Sequence, residues 1–170
     1  MSAGELDGEA EPAAQRLAQA STAIVEGVER ELPGWVQRQV AFILDAWGRL
    51  DPVARADADG AASDAGRDAT DRVVTGLREL FSTDPAAQTA TPLEIVRSAY
   101  REPTAVLEAA GIPPVERDAF DERAWPDDRY GLVPRTLGDL GDPDLAPLML
   151  AWGMAKAAVL RARVERPSGN

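Results

Sequence analysis

Apolar positions recur along this chain at helical rather than strand spacing. A first helix is predicted from about Pro12 to Glu31: Leu17, Ser21, Ile24, Val25, Val28 and, just past its end, Leu32 follow the i, i+3, i+4, i+7 template, with Gln19, Glu26 and Arg30 opposite. Leu32-Pro33-Gly34 predicts a break, and Pro33 suits the first position of a second helix reaching Leu50. That helix carries two apolar arcs. Val36, Val40, Ile43, Leu44, Trp47 and Leu50 form one, and Trp35, Phe42 and Ala46 form the other. Such a helix either packs on both sides within one domain or docks on a partner, or a second copy, through Trp35, Phe42 and Ala46.

Asp51-Pro52 predicts the start of a long third helix ending near Leu80 or Phe81. Its inner stripe opens with Ala58, Ala62, Ala65 and Ala69, which permit close approach but bury little area; Val73, Val74, Leu77, Leu80 and Phe81 supply the anchoring. Gly60 and Gly66 weaken its first half further. Thr91-Pro92-Leu93-Glu94 combines a capping box with proline at the first helical position, the clearest local signal in the chain. The helix it starts is predicted to stop near Glu102-Pro103, and a short one follows from Thr104 to a left-handed cap at Gly111.

Residues 113–142 are the least regular stretch, with room for one short helix before Trp125-Pro126. Phe120, Trp125, Tyr130, Leu132, Leu137 and Leu140 favour a loop packed by its own side chains over an open functional one. A last helix begins near Asp142-Pro143, burying Leu145, Leu148, Met149, Trp152, Val159 and Leu160, and ends in Arg161, Arg163 and Arg166. No stretch alternates as a strand, and no internal repeat shows. The pattern predicts an all-α, single-domain bundle of five or six helices over residues 12–164, with disordered tails at 1–11 and 165–170.

Charge and composition narrow the function more than they name it. The net charge of −11 is spread as −4, −4 and −3 over residues 1–50, 51–90 and 91–170, which argues for solubility and against nucleic acid or an anionic membrane as partner. Cysteine and histidine are absent, so disulfides, thiolate nucleophiles, Cys/His zinc sites and histidine-dependent triads are all excluded. The acidic N-terminus lacks the apolar stretch of a signal peptide, and the longest apolar run, Leu145–Ala155, is 11 residues, short for a bilayer. A cytoplasmic location is the expectation.

Two features retain candidate chemistry. The first is the acidic loop with Glu116, Asp118, Asp121, Glu122, Asp127, Asp128, Asp139, Asp142 and Asp144, together with Trp125 and Tyr130. Carboxylates suit hard cations or paired acid–base work, but Arg117, Arg123, Arg129 and Arg135 interleave with them, which points to ion pairing and capping. The second is Lys156, the single lysine, inside the apolar arc of the last helix. There it can snorkel, pair with an acid, or serve as an amine nucleophile if a pocket exists. No glycine-rich phosphate loop is present, and no cofactor is implied.

Residues 91–163, with Thr91-Pro92-Leu93-Glu94-Ile95-Val96-Arg97, Gly111-Ile112-Pro113-Pro114-Val115 and Leu150-Ala151-Trp152-Gly153-Met154-Ala155-Lys156, resemble an uncharacterised conserved protein family of high-GC bacteria. The resemblance implies that this half is the core of the fold and implies no activity. The expectation is a non-enzymatic interaction module, regulatory or adaptor, acting on another protein or a second copy. The alternative is a helical enzyme or small-ligand binder using the acidic 115–142 loop and Lys156.

Overall fold

The computed structural model describes residues 3–166, so the expected disordered tails lie outside them at residues 1–2 and 167–170, while Glu165, also assigned to the C-terminal tail, belongs to a helix. The chain is an all-α bundle of six helices with no strand among the described residues. They are α1 (Ala3–Trp47), α2 (Pro52–Ser82), α3 (Pro92–Arg97), α4 (Arg101–Ala109), α5 (Ala119–Ala124) and α6 (Ala146–Glu165).

The first two predicted helices are one. α1 runs through both Pro12 and Pro33 and is about 68 Å long at 1.5 Å per residue. It starts at Ala3, so residues 3–11, read from sequence as a disordered lead-in, form its opening turns. Pro33 withholds one backbone hydrogen bond and opposes a helix by about 3 kcal/mol. Ile24, Val28, Leu32, Val36 and Val40 lie on both sides of it in one unbroken stripe, all fully buried. At about 1.5–3 kcal/mol per buried aliphatic side chain, keeping that stripe in register outweighs one proline. The spine of the fold is therefore α1 rather than the 91–163 half.

Gly48, at φ +61°, closes α1 by donating its N–H to the Leu44 carbonyl at 3.0 Å, and Asp51 caps α2 through the Ala54 N–H at 2.9 Å. α2 then returns antiparallel along α1. Its alanine half behaves as the sequence suggests, but Gly66 does not. A Cβ on Gly66 would stand 2.9 Å from the Pro33 carbonyl oxygen, so this glycine is where the two backbones meet. Thr70, buried beside it, returns its hydroxyl to the Gly66 carbonyl at 2.6 Å.

The Thr91 capping box forms as predicted, with Thr91 and Glu94 bonding each other's backbone N–H at 3.3 and 2.8 Å. The following break falls at a 3-10 turn over Ser98–Tyr100 rather than at Pro103. Pro103 sits in the first turn of α4, where its missing N–H costs nothing. Arg72 of α2 holds this junction through Glu102 at 2.7 and 2.9 Å and Ser98 at 2.8 Å.

α6 lies antiparallel to the first half of α1, its entry seated where Leu145 fills the space beside Gly27. Trp152, Ala155 and Val159 face the core, and the Trp152 ring meets Phe81 of α2 at 6.3 Å. Arg163 pairs with Asp84 just past α2 at 2.8 Å. The outer side of α6 is uncovered: Leu150 is 68% and Met154 64% exposed. Pro143–Glu165 also reaches a mean hydropathy of 1.3 over an 18-residue window, long and apolar enough to cross a membrane by length and composition, which the shorter run read from sequence did not suggest.

Candidate functional site: an apolar groove at the end of α1

Trp35 and Phe42 share one side of α1, seven residues apart, but have opposite fates. The 3-10 turn Leu137–Leu140 packs on α1 where Arg38 donates to the Leu140 carbonyl at 2.6 Å, and Arg30 pairs with Asp142 at 3.1 Å. Trp35 is buried in the core at 3% exposure. Beyond that turn this side of the helix is open, and Phe42 stands 72% exposed with Ala46 exposed beside it, while Val40, Ile43 and Leu44 stay buried on the other side. The second arc is core at one end and open at the other.

The open end forms one wall of a groove of about 440 Å³. Phe42, Ala46 and Trp47 line it from α1, and Pro113, Pro114, Val115 and Tyr130 line it from the opposite side. Trp47, assigned by periodicity to the inner arc, stands at the rim with the Arg49 guanidinium 5.2 Å from its ring centre.

The opposite wall is rigid for local reasons. Gly111 at φ +73° ends α4, and Ile112 donates its N–H back to the Leu107 carbonyl at 3.1 Å. Pro113-Pro114 then has two fixed φ angles and no N–H to pair. The Tyr130 hydroxyl donates to the Ile112 carbonyl at 2.5 Å. Burial, with Glu108 nearby, pushes the Tyr130 phenol above its ordinary pKa, so the donor proton stays in place. Asp128, 1% exposed, accepts the Leu132 N–H at 2.8 Å and the Val133 N–H at 3.0 Å. That carboxylate is the knot of the loop.

The remaining residues singled out from sequence do not converge here. Asp121 pairs with Arg135 at 2.8 Å, and Trp125 is half-buried under the Arg97 guanidinium at 5.1 Å. Asp127 is exposed, and its carbonyl accepts the Arg129 N–H at 3.0 Å. Asp139 accepts the Arg135 and Thr136 N–H groups at 2.8 and 3.0 Å. Lys156 is half-buried with its ammonium over the Trp152 ring at 5.2 Å, on the far element α6. Among the described residues no three carboxylates come together. Phe120, expected inside the packed loop, is 71% exposed, because α5 buries no residue at all.

Of the sequence-suggested site residues, then, the structure brings together Phe42, Ala46 and Tyr130. Trp47, Pro113, Pro114 and Val115 were missed as wall residues. In the sequence Pro113-Pro114-Val115 entered only through the family resemblance, and an apolar residue directly after two prolines was the available signal. No protein-family model matches the chain, and no curated protein or solved structure matches it.

Proposed function

We propose that this chain is a non-enzymatic, cytoplasmic interaction module whose groove between Phe42 and the Pro113-Pro114 wall takes a short apolar segment of another protein, flanked by basic residues. The observation that carries the reading is the exposed aromatic wall facing a preorganised one. Phe42, Trp47 and Val115 are 72%, 36% and 43% exposed around one concavity. Clustered exposed aromatics of this kind are the usual anchors of protein interfaces. The opposite wall is held by the Tyr130 and Asp128 hydrogen bonds, so docking costs little ordering. The groove holds no free nucleophile, and its one titratable hydroxyl is occupied by the Ile112 carbonyl. Basic flanks follow from the net charge of −11, which steers cationic partners.

A selection of displayed random peptides on the immobilised chain tests this. Enrichment of apolar sequences with basic flanks, lost with Phe42→Glu at unchanged circular dichroism, is the expected result. No enrichment, or binding indifferent to Phe42→Glu, would overturn it. A strong thermal shift with a metabolite or metal ion and no peptide binding would instead favour the small-ligand alternative.

A further inference from the structure

The groove at the end of α1 leaves a larger surface unexplained at the other end of the same helix. Between α1 and α6 runs a second apolar groove of about 760 Å³, floored by the buried Ala20 and Ala155 and edged by Leu148 and Met154. Met154 at its edge is 64% exposed, Leu150 elsewhere on α6 is 68% exposed, and α6 as a whole buries only Trp152, Ala155 and Val159.

We infer that this groove is the interface of a symmetric dimer, in which α6 packs antiparallel against α6 of a second copy. Two observations select a second copy as the occupant. The first is shape: a trough floored by alanine runs beside large exposed side chains, so the surface carries both the ridge and the groove that an isologous contact needs. The second is charge. Asp144 lies at the entry of α6 and Arg161 near its exit; both are exposed, and neither side chain pairs with an opposite charge within the chain. An antiparallel register that sets Asp144 against Arg161 of the second copy also sets Ala151 against Met154 and Leu148 against Ala157. Opposite charges then meet at both ends, and each large side chain faces a small one.

A lipid surface fits less well. The apolar surface is concave, Arg16 and Arg161 line it, and the chain around it is strongly acidic. This inference is independent of the groove at Phe42, which lies at the opposite end of α1.

Sedimentation equilibrium on the full chain tests it. The wild type is expected to dimerise reversibly, and Met154→Glu to raise the dissociation constant by about thirtyfold or more, as for a central interface anchor. Met154 is 64% exposed, so the variant keeps its circular dichroism spectrum. Asp144→Arg and Arg161→Asp should each weaken the dimer, and the double reversal should restore it. A monomer at every concentration, a dimer unaffected by Met154→Glu, or no rescue by the double reversal would overturn the inference. So would co-sedimentation of the chain with phosphatidylglycerol vesicles that Met154→Glu abolishes, because the face would then be a membrane surface.

Discussion

Adding one methyl group at Gly66 should destabilise the fold, while the same addition at Gly60, on the same helix, should stabilise it. Both glycines lie inside α2, and replacing either by alanine gains about 0.8–1 kcal/mol of helix propensity. A Cβ on Gly60 meets nothing within 4 Å, so that gain is kept. A Cβ on Gly66 would lie 2.9 Å from the Pro33 carbonyl oxygen and 3.3 Å from its Cα. Both are backbone atoms of α1 and cannot swing aside. Relief requires α1 and α2 to part by several tenths of an ångström along the seam where Ala58, Ala62, Ala65 and Ala69 are buried. Overpacking of that kind costs about 1–3 kcal/mol, which exceeds the propensity gain over most of its range. We expect Gly66→Ala to be about 1 kcal/mol less stable than wild type and Gly60→Ala about 0.8 kcal/mol more stable. Urea unfolding followed by far-ultraviolet circular dichroism resolves the two. Equal stabilisation by both substitutions would refute the close crossing of α1 and α2 at Pro33.

Three further outcomes follow from particular contacts. Asp128→Ala strands two backbone N–H groups in a buried loop and should cost about 2–3 kcal/mol in urea unfolding, whereas a neutral result would mean that the loop is not tied there. Lys156→Met should leave stability within about 1 kcal/mol, since the ammonium is half-buried over Trp152 and pairs with no carboxylate; a loss several times larger would reveal a buried ion pair. Asp84 is held below its ordinary pKa by the Arg163 hydrogen bond and then by the Ala86 N–H, so its contribution is whole above the unfolded-state value and fades as pH falls through the folded one. The stability difference between wild type and Asp84→Asn should therefore be constant near neutrality and vanish below the usual carboxylate range; a difference that grows in acid would contradict that sign.

The sequence made the all-α class and most of the inner faces legible because periodicity reports burial directly. Ile24, Val28, Leu77 and Trp152 are buried where their spacing placed them. Local capping signals were equally readable, as at Asp51 and Thr91. Proline was the misleading mark. At Pro33 a local rule predicted a break, and a buried stripe spanning both sides of it prevailed. Gly66 was misread for the same reason: propensity sees a weakened helix, whereas packing needs the missing Cβ. The Phe42 side of α1 was visible as an apolar arc, but its division into a buried Trp35 and an open Phe42 depends on where the Leu137–Leu140 turn ends, which no local pattern encodes. The second wall of the groove was hidden because Tyr130 and Pro113 meet only through the fold.

The groove itself is tested most directly by a photo-cross-linking amino acid placed at Ala46 on its wall and, as a control, at Gly60, which is exposed with no neighbour within 4 Å. Irradiation in the native cytosol, followed by mass spectrometry of the adducts, reads out what lies in the groove. The proposed function predicts adducts at Ala46, absent at Gly60, that map to an apolar segment with basic flanks in another protein and disappear when Phe42→Glu is added. The same adducts from both positions, or adducts at Ala46 that survive Phe42→Glu, would contradict it.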